Sequence, residues 1–252
     1  MWSKELAIVT LPAHAIMLLL AVAIMLPLRH KSEKIRRIPI NILTIVFLVM
    51  EVGKQIEEIR SGDYSLWAIP LHFCSFFMFW PLFSLFGRGK VRKFGDVITF
   101  LFSAIIFFLM LIGPDLIYGG AVRNFYYNGV VEHSLVFHEL VIFCFFLYLF
   151  SGIVEFKKEY WVFIPIAMTA YACIVVPFAY LLNTNYCSVL YMAGDNLLET
   201  IRVNTNQFVY NALQFVLSLG VMSLFYFIGV WITNAKNRKN SRKQEQWKNP
   251  TA

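Results

Sequence analysis

Seven stretches of this chain are each apolar over about 22 residues, the length a helix needs to cross the hydrocarbon core of a bilayer. They cover residues 6–28, 38–59, 66–86, 96–117, 131–152, 160–182 and 207–233 and are joined by short polar connections. The second stretch is the least apolar of the seven. Together they occupy most of the 252 residues, and what remains is too short for a second, soluble domain. Only 15% of the residues are charged and 59% are hydrophobic, against about a quarter charged in soluble proteins. That balance excludes secreted disulfide scaffolds, nucleotide-binding α/β enzymes and disordered chains. An outer-membrane barrel would instead show alternating segments of about ten residues. The sequence therefore predicts an all-α polytopic membrane protein, a seven-transmembrane-helix bundle over residues 1–235, followed by a basic tail over 236–252 that is expected to be disordered. The first stretch is too long for a signal peptide, and Arg29, His30 and Lys31 follow it in place of a small-residue cleavage site.

The distribution of Lys and Arg sets a direction. Taken alternately, the connections and tail carry seventeen of these residues on one side and four on the other, with Lys54 inside the second stretch. Basic loops stay cytoplasmic, so the N-terminus is expected outside and the C-terminus in the cytoplasm. The formal charge of +7 is accounted for by this asymmetry. The tail from Lys236 to Lys248 reads as a contact for lipid headgroups, and no nucleic acid is expected as a partner.

With a direction assigned, position becomes depth at 1.5 Å per helical residue. Cys74 falls about 12 Å and His138 about 10 Å below the outer surface on that rise. His14, Glu51, Lys54, Gln55, Glu58, Asp115, Asn211 and Gln214 fall in the same outer half. Ionisable groups inside a membrane face a bundle interior or a wet cavity, so a cavity open to the outer leaflet is expected. Glu51, Lys54, Gln55 and Glu58 lie at i, i+3, i+4 and i+7, which puts them on one helical face. That face serves either as an ion-paired helix contact or as part of a site.

His72 and Cys74 are two apart, about 200° around a helix, so one is expected to face the cavity and the other to pack. His133 and His138 are five apart and lack the i, i+4 spacing of a helical two-histidine zinc site. No metal and no cofactor are expected. Cys74, Cys144 and Cys173 lie inside the apolar stretches and Cys187 outside them, so no disulfide framework is read. A cysteine on an apolar face is commonly a small buried hydrophobe. Cys74 gains a chemical reading from a histidine at its own depth, which could take the thiol proton and yield a nucleophile.

The run Ile69-Pro70-Leu71-His72-Phe73-Cys74 resembles the Pro-Leu-His-Leu-Cys signature of the YwaF and transmembrane protein 164 family of integral membrane proteins. Glu51, Pro114-Asp115-Leu116, His138 and Asn185-Tyr186 follow the family pattern in order. Phe137 stands where the pattern has Ser and Gly113 where it has Thr. The animal relative is described as an acyltransferase that remodels phospholipid acyl chains through the motif cysteine. The resemblance implies that Cys74 is a nucleophile and His138 its base, that phospholipid is the substrate, and that the chain sits in the plasma membrane of a bacterium. Lys54, Tyr186, Asn211 and Gln214 are candidate oxyanion donors, Asp115 or Glu51 could orient His138, and His72, His133 and Asn185 are supporting candidates. The rival reading is a non-enzymatic transporter or receptor-like bundle that binds a small polar solute in the same cavity. The oligomeric state is not legible.

Overall fold

The computed structural model describes residues 4–112, 129–191 and 197–248. Among these, every regular element is helical. In chain order they are α1 (Lys4–Leu28), the short α2 (Glu33–Arg36), α3 (Ile38–Arg60), α4 (Phe73–Phe76), α5 (Trp80–Phe86), α6 (Lys90–Ile112), α7 (Gly129–Ser151), α8 (Phe163–Leu181), α9 (Leu197–Asn204) and α10 (Gln207–Lys248). Five helical stretches are long and apolar enough to cross a membrane: Thr10–Leu28, Lys90–Ile112, His133–Ser151, Lys158–Leu181 and Gln207–Ala235. Large apolar side chains on α1 and α10, such as Leu19, Val216 and Trp231, are exposed. A soluble monomer rarely leaves such continuous apolar surface uncovered, and here lipid covers it. The chain is thus a multi-pass membrane protein.

α6 lies at the centre. Val97, Ile98, Leu101, Phe102, Ile106 and Met110 are fully buried, and α5, α7, α8 and α10 all pack on it. Gly95 makes the closest approach possible: a Cβ there would sit 2.2 Å from the backbone nitrogen of Ser84 on α5.

The bundle has two chemically different ends. At one, the start of α3 meets the end of α5, the start of α6 and the end of α7 around a buried polar network. Arg37 donates from both terminal nitrogens to Asp96, at 2.9 and 2.6 Å. Ser84 donates to the same carboxylate, and the Tyr148 hydroxyl reaches Ser84 at 3.1 Å and Asp96 at 3.3 Å. Glu33 on α2 accepts from Arg37 Nε at 2.8 Å. The other end holds the candidate site.

The stretch 66–86 departs from expectation, because it is not one helix. Leu66–Ala68 forms a single 3₁₀ turn, residues 69–72 are irregular, and α4, a second 3₁₀ turn (Phe77–Phe79) and α5 follow. Pro70 is the physical reason. It has no N–H to donate and drives the preceding residue out of the helical region, and Ile69 accordingly has φ −58° and ψ 133°. The depth of Cys74 therefore does not follow from a helical rise. At the other extreme, α10 continues as helix to Lys248, where the sequence predicts a disordered tail from 236. Residues 236–248 contain neither Gly nor Pro, so nothing in them breaks a helix already running.

Candidate functional site

The second half of α3, the broken segment at Cys74, the end of α6, the start of α7, the middle of α8, residues 185–189 and the start of α10 enclose a cavity of about 870 Å³. Its lining is of two chemical kinds. Glu51, Lys54, Glu58, His72 and His133 supply charged and polar groups, whereas Ile105, Leu109, Met168, Val175, Val176 and Phe215 supply apolar ones. Cys74, Ser134, His138, Asn185, Cys187, Asn211 and Gln214 also line it.

Glu51, Lys54 and Glu58 share the cavity because α3 is regular there and their spacing is helical. Lys54 forms an ion pair with Glu51 at 2.8 Å, with both side chains largely buried. Gln55 ties the pair to the neighbouring segment: its amide donates to Glu51 at 2.7 Å and to the carbonyl of Ala68 at 2.9 Å, while its oxygen accepts from Tyr64 at 2.6 Å. The face is both an ion-paired contact and part of the cavity wall.

His72 and Cys74 both border the cavity, where helical geometry predicts that only one would. His72 is the N-cap of α4, with extended backbone at φ −66° and ψ 148°, so the 100° step between helical neighbours does not apply to it. Its ring lies 4.2 Å from that of Trp67 and 5.2 Å from that of Tyr186.

His138 is buried on α7, and its Nδ1 lies 2.6 Å from the carbonyl oxygen of Ser134. A carbonyl only accepts, so Nδ1 carries the proton and Nε2 is the basic nitrogen. A backbone carbonyl of its own helix thus helps to orient His138. Asp115, one of the two residues predicted for that role, lies outside the described residues. His133, one turn and a half earlier, meets the carbonyl of Met50 at 3.3 Å.

The predicted oxyanion donors divide. Tyr186 does not border the cavity; its hydroxyl donates to the carbonyl of Leu66 behind the wall. Gln214 donates one amide hydrogen to the carbonyl of Cys187 at 2.9 Å and retains a second. Asn211 donates to Tyr180 at 3.3 Å. Asn185 folds back on its own loop, accepting from Leu190 at 2.9 Å and donating to Tyr191 at 2.9 Å. His14 is also not a cavity residue. It pairs with Glu139 at 3.3 Å, both buried, because Glu139 is one helical step round from His138 and faces α1.

Three features are absent from the sequence reading. The first is Cys187, which has φ +50° in a turn lining the cavity. The second is the row of α10 side chains that holds that turn: Gln207, Tyr210 and Gln214 donate to the carbonyls of Val189, Ser188 and Cys187 respectively. The third is the Arg37–Asp96 network, for which the signal was an acidic residue opening an apolar stretch. Among the described residues, no three His, Cys, Asp or Glu side chains converge in a way that would hold a metal ion.

A protein-family model described as the TMEM164 family matches residues 1–228. No curated protein and no solved structure matches the chain. The chain belongs to the TMEM164 family.

Proposed function

We propose that this member of the TMEM164 family is a membrane-embedded acyltransferase or lipid hydrolase that acts on the acyl chains of outer-leaflet phospholipids. The observation that carries the reading is that Cys74 and His138 both line one cavity whose remaining lining is part apolar and part charged. An ester at the junction of a fatty chain and a polar headgroup has that division of character. In this reading α3 and the broken segment 66–86 also traverse the bilayer, giving seven passages. The N-terminus is outside, the C-terminus cytoplasmic, and the membrane is the bacterial plasma membrane.

The chemistry follows from the residues. His138 Nε2 takes the thiol proton as Cys74 Sγ attacks the ester carbonyl. The carbon–oxygen bond to the lysolipid breaks, and the imidazolium returns the proton to the departing oxygen. An acyl thioester on Cys74 remains. A lysolipid hydroxyl or water then attacks it, His138 again moves the proton, and the thiol is regenerated. The second amide hydrogen of Gln214 and the ammonium of Lys54 are the donors on the wall suited to the oxyanion.

The test is reconstitution in liposomes that contain a phospholipid with a labelled acyl chain. Wild type should release or transfer the label. Cys74→Ala and His138→Ala should each lose at least about a hundredfold, and the double variant little more, because nucleophile and base act as a unit. Near wild-type turnover by Cys74→Ala would reject the nucleophile. The Glu51–Lys54 pair on the cavity wall favours the second reading, a bundle that binds a small polar solute. That reading gains if turnover is absent and solute binding depends on Glu51 and Lys54 alone.

A further inference from the structure

The helix broken at Pro70 leaves backbone groups without helical partners on both sides of His72: the carbonyl of Leu71 and the amide of Phe73. Two side chains far away in sequence satisfy both. The Tyr171 hydroxyl, from α8, donates to the carbonyl of Leu71 at 3.1 Å. The Phe73 amide donates to the sulfur of Cys187, and Cys187 and Tyr171 hydrogen-bond to each other. One sulfur and one phenol thus grip the chain on either side of His72, immediately before Cys74.

Cys187 reaches this position through an unfavourable backbone. Its φ is +50° and that of Ser188 is +59°, in the left-handed region that non-glycine residues avoid and keep only where the surroundings enforce it. The enforcement is visible in the three α10 side chains at i, i+3 and i+7, which take three consecutive carbonyls of the turn. The Phe73 ring is held as well, stacked 4.4 Å from that of buried Phe102. The residue that precedes Cys74 is thus held through both its amide and its ring.

We propose that Tyr171 and Cys187 are positioning residues that clamp the broken segment so that the thiol of Cys74 is presented to His138. The inference rests on the reading of Cys74 and His138 as nucleophile and base. Cys187 takes no part in the chemistry; its sulfur is an acceptor for an amide and a partner for a phenol.

The experiment uses the full chain in lipid nanodiscs and two measurements on wild type, Cys187→Ala, Cys187→Ser, Tyr171→Phe and His138→Ala. The first is hydrogen exchange of peptides spanning residues 70–76. Exchange at the Phe73 amide should rise at least about tenfold in Cys187→Ala and stay close to wild type in Cys187→Ser, since a hydroxyl keeps the acceptor. The second is the rate of alkylation of Cys74 by a long-chain alkyl iodoacetamide between pH 6 and 9, read at that residue by peptide mass spectrometry. Cys187→Ala and Tyr171→Phe should lower the rate about tenfold and give the pH profile of His138→Ala, with Cys187→Ser recovering most of the loss. Unfolding midpoints identify any variant that has simply lost its fold, and Cys187→Ser then decides. Unchanged exchange at Phe73 in Cys187→Ala overturns the clamp. So does an unchanged alkylation profile in a folded Cys187→Ala or Tyr171→Phe when wild type and His138→Ala differ. Equal alkylation of wild type and His138→Ala refutes the nucleophile–base reading instead, and the exchange result alone then judges the clamp.

Discussion

Breaking the Arg37–Asp96 pair should be among the most destabilising single changes in the bundle, and the two halves of the pair should differ. At 2.6 Å between Arg37 Nη2 and Asp96 Oδ2, two unit charges attract by about 6 kcal/mol at an effective dielectric of 20. Withdrawing both side chains from water, to 9% and 3% exposure, offsets most of that gain, because desolvation of each ion costs several kcal/mol. The pair is worth little net, but one partner left alone is an uncompensated buried charge, at about 3–5 kcal/mol. Asp96→Asn leaves Arg37 with Glu33, which is half exposed and 2.8 Å away, so its cost should lie at or below the bottom of that range. Arg37→Met leaves Asp96 with only the hydroxyls of Ser84 and Tyr148 and should cost about 4–5 kcal/mol. The double variant Arg37→Met/Asp96→Leu should recover to within about 2 kcal/mol of wild type, since two contacting residues are not additive. Unfolding in mixed micelles by a denaturing detergent, followed by the fluorescence of the six tryptophans, measures all three. A double variant less stable than either single one, or an Arg37→Met loss below about 1 kcal/mol, would refute the reasoning.

Gly95→Ala should destabilise by about 1–3 kcal/mol in the same assay, because its methyl group meets the backbone of Ser84 and α5 and α6 must separate; a neutral result would mean that the crossing is looser than described. The orientation expected from the basic loops places single cysteines at Arg60 and Arg202 outside and at Lys90 and Lys157 inside, and labelling by a membrane-impermeant maleimide in intact cells should report them so. Hydrogen bonding to Lys93 and to Lys157 holds the Glu155 carboxyl below its usual range. Its contribution to stability is therefore present above the ordinary carboxylate value and disappears as pH falls through the lowered one. Because the group is substantially exposed, Glu155→Gln should be nearly silent at pH 7 and should remove only a small acid-side slope from the unfolding profile.

Where the chain is regular, the sequence was readable. Glu51, Lys54 and Glu58 recur at helical spacing, α3 is a regular helix, and they do share a face on the cavity. His138 and Cys74 both border one cavity, although the helical rise that brought them to one depth does not apply to Cys74. The reading failed where one proline changed the geometry. Pro70 lies inside an apolar stretch that hydropathy treats as a continuous span, and the break it makes is what brings both His72 and Cys74 to the wall. Cys187 could not be found from local pattern. Its contact with Phe73 spans 114 residues, and its role depends on a left-handed backbone that nothing in Asn185-Tyr186-Cys187-Ser188 requires. The tautomer of His138 was equally hidden, because every helical residue has a carbonyl four positions earlier and no residue type marks the one that orients a ring.

The three α10 side chains that hold the Cys187 turn also bear on when the protein becomes complete. A chain made from its N-terminus reaches Cys74 and His138 long before it reaches Gln207, Tyr210 and Gln214. Until then the turn has no donors for its carbonyls and no reason to keep its left-handed backbone. Cys74 is therefore synthesised well before the α10 residues that complete the cavity wall. A chain that stops before Gln207 carries Cys74 and His138 without Asn211, Gln214, Phe215 and Ser218, the α10 residues that line part of the cavity.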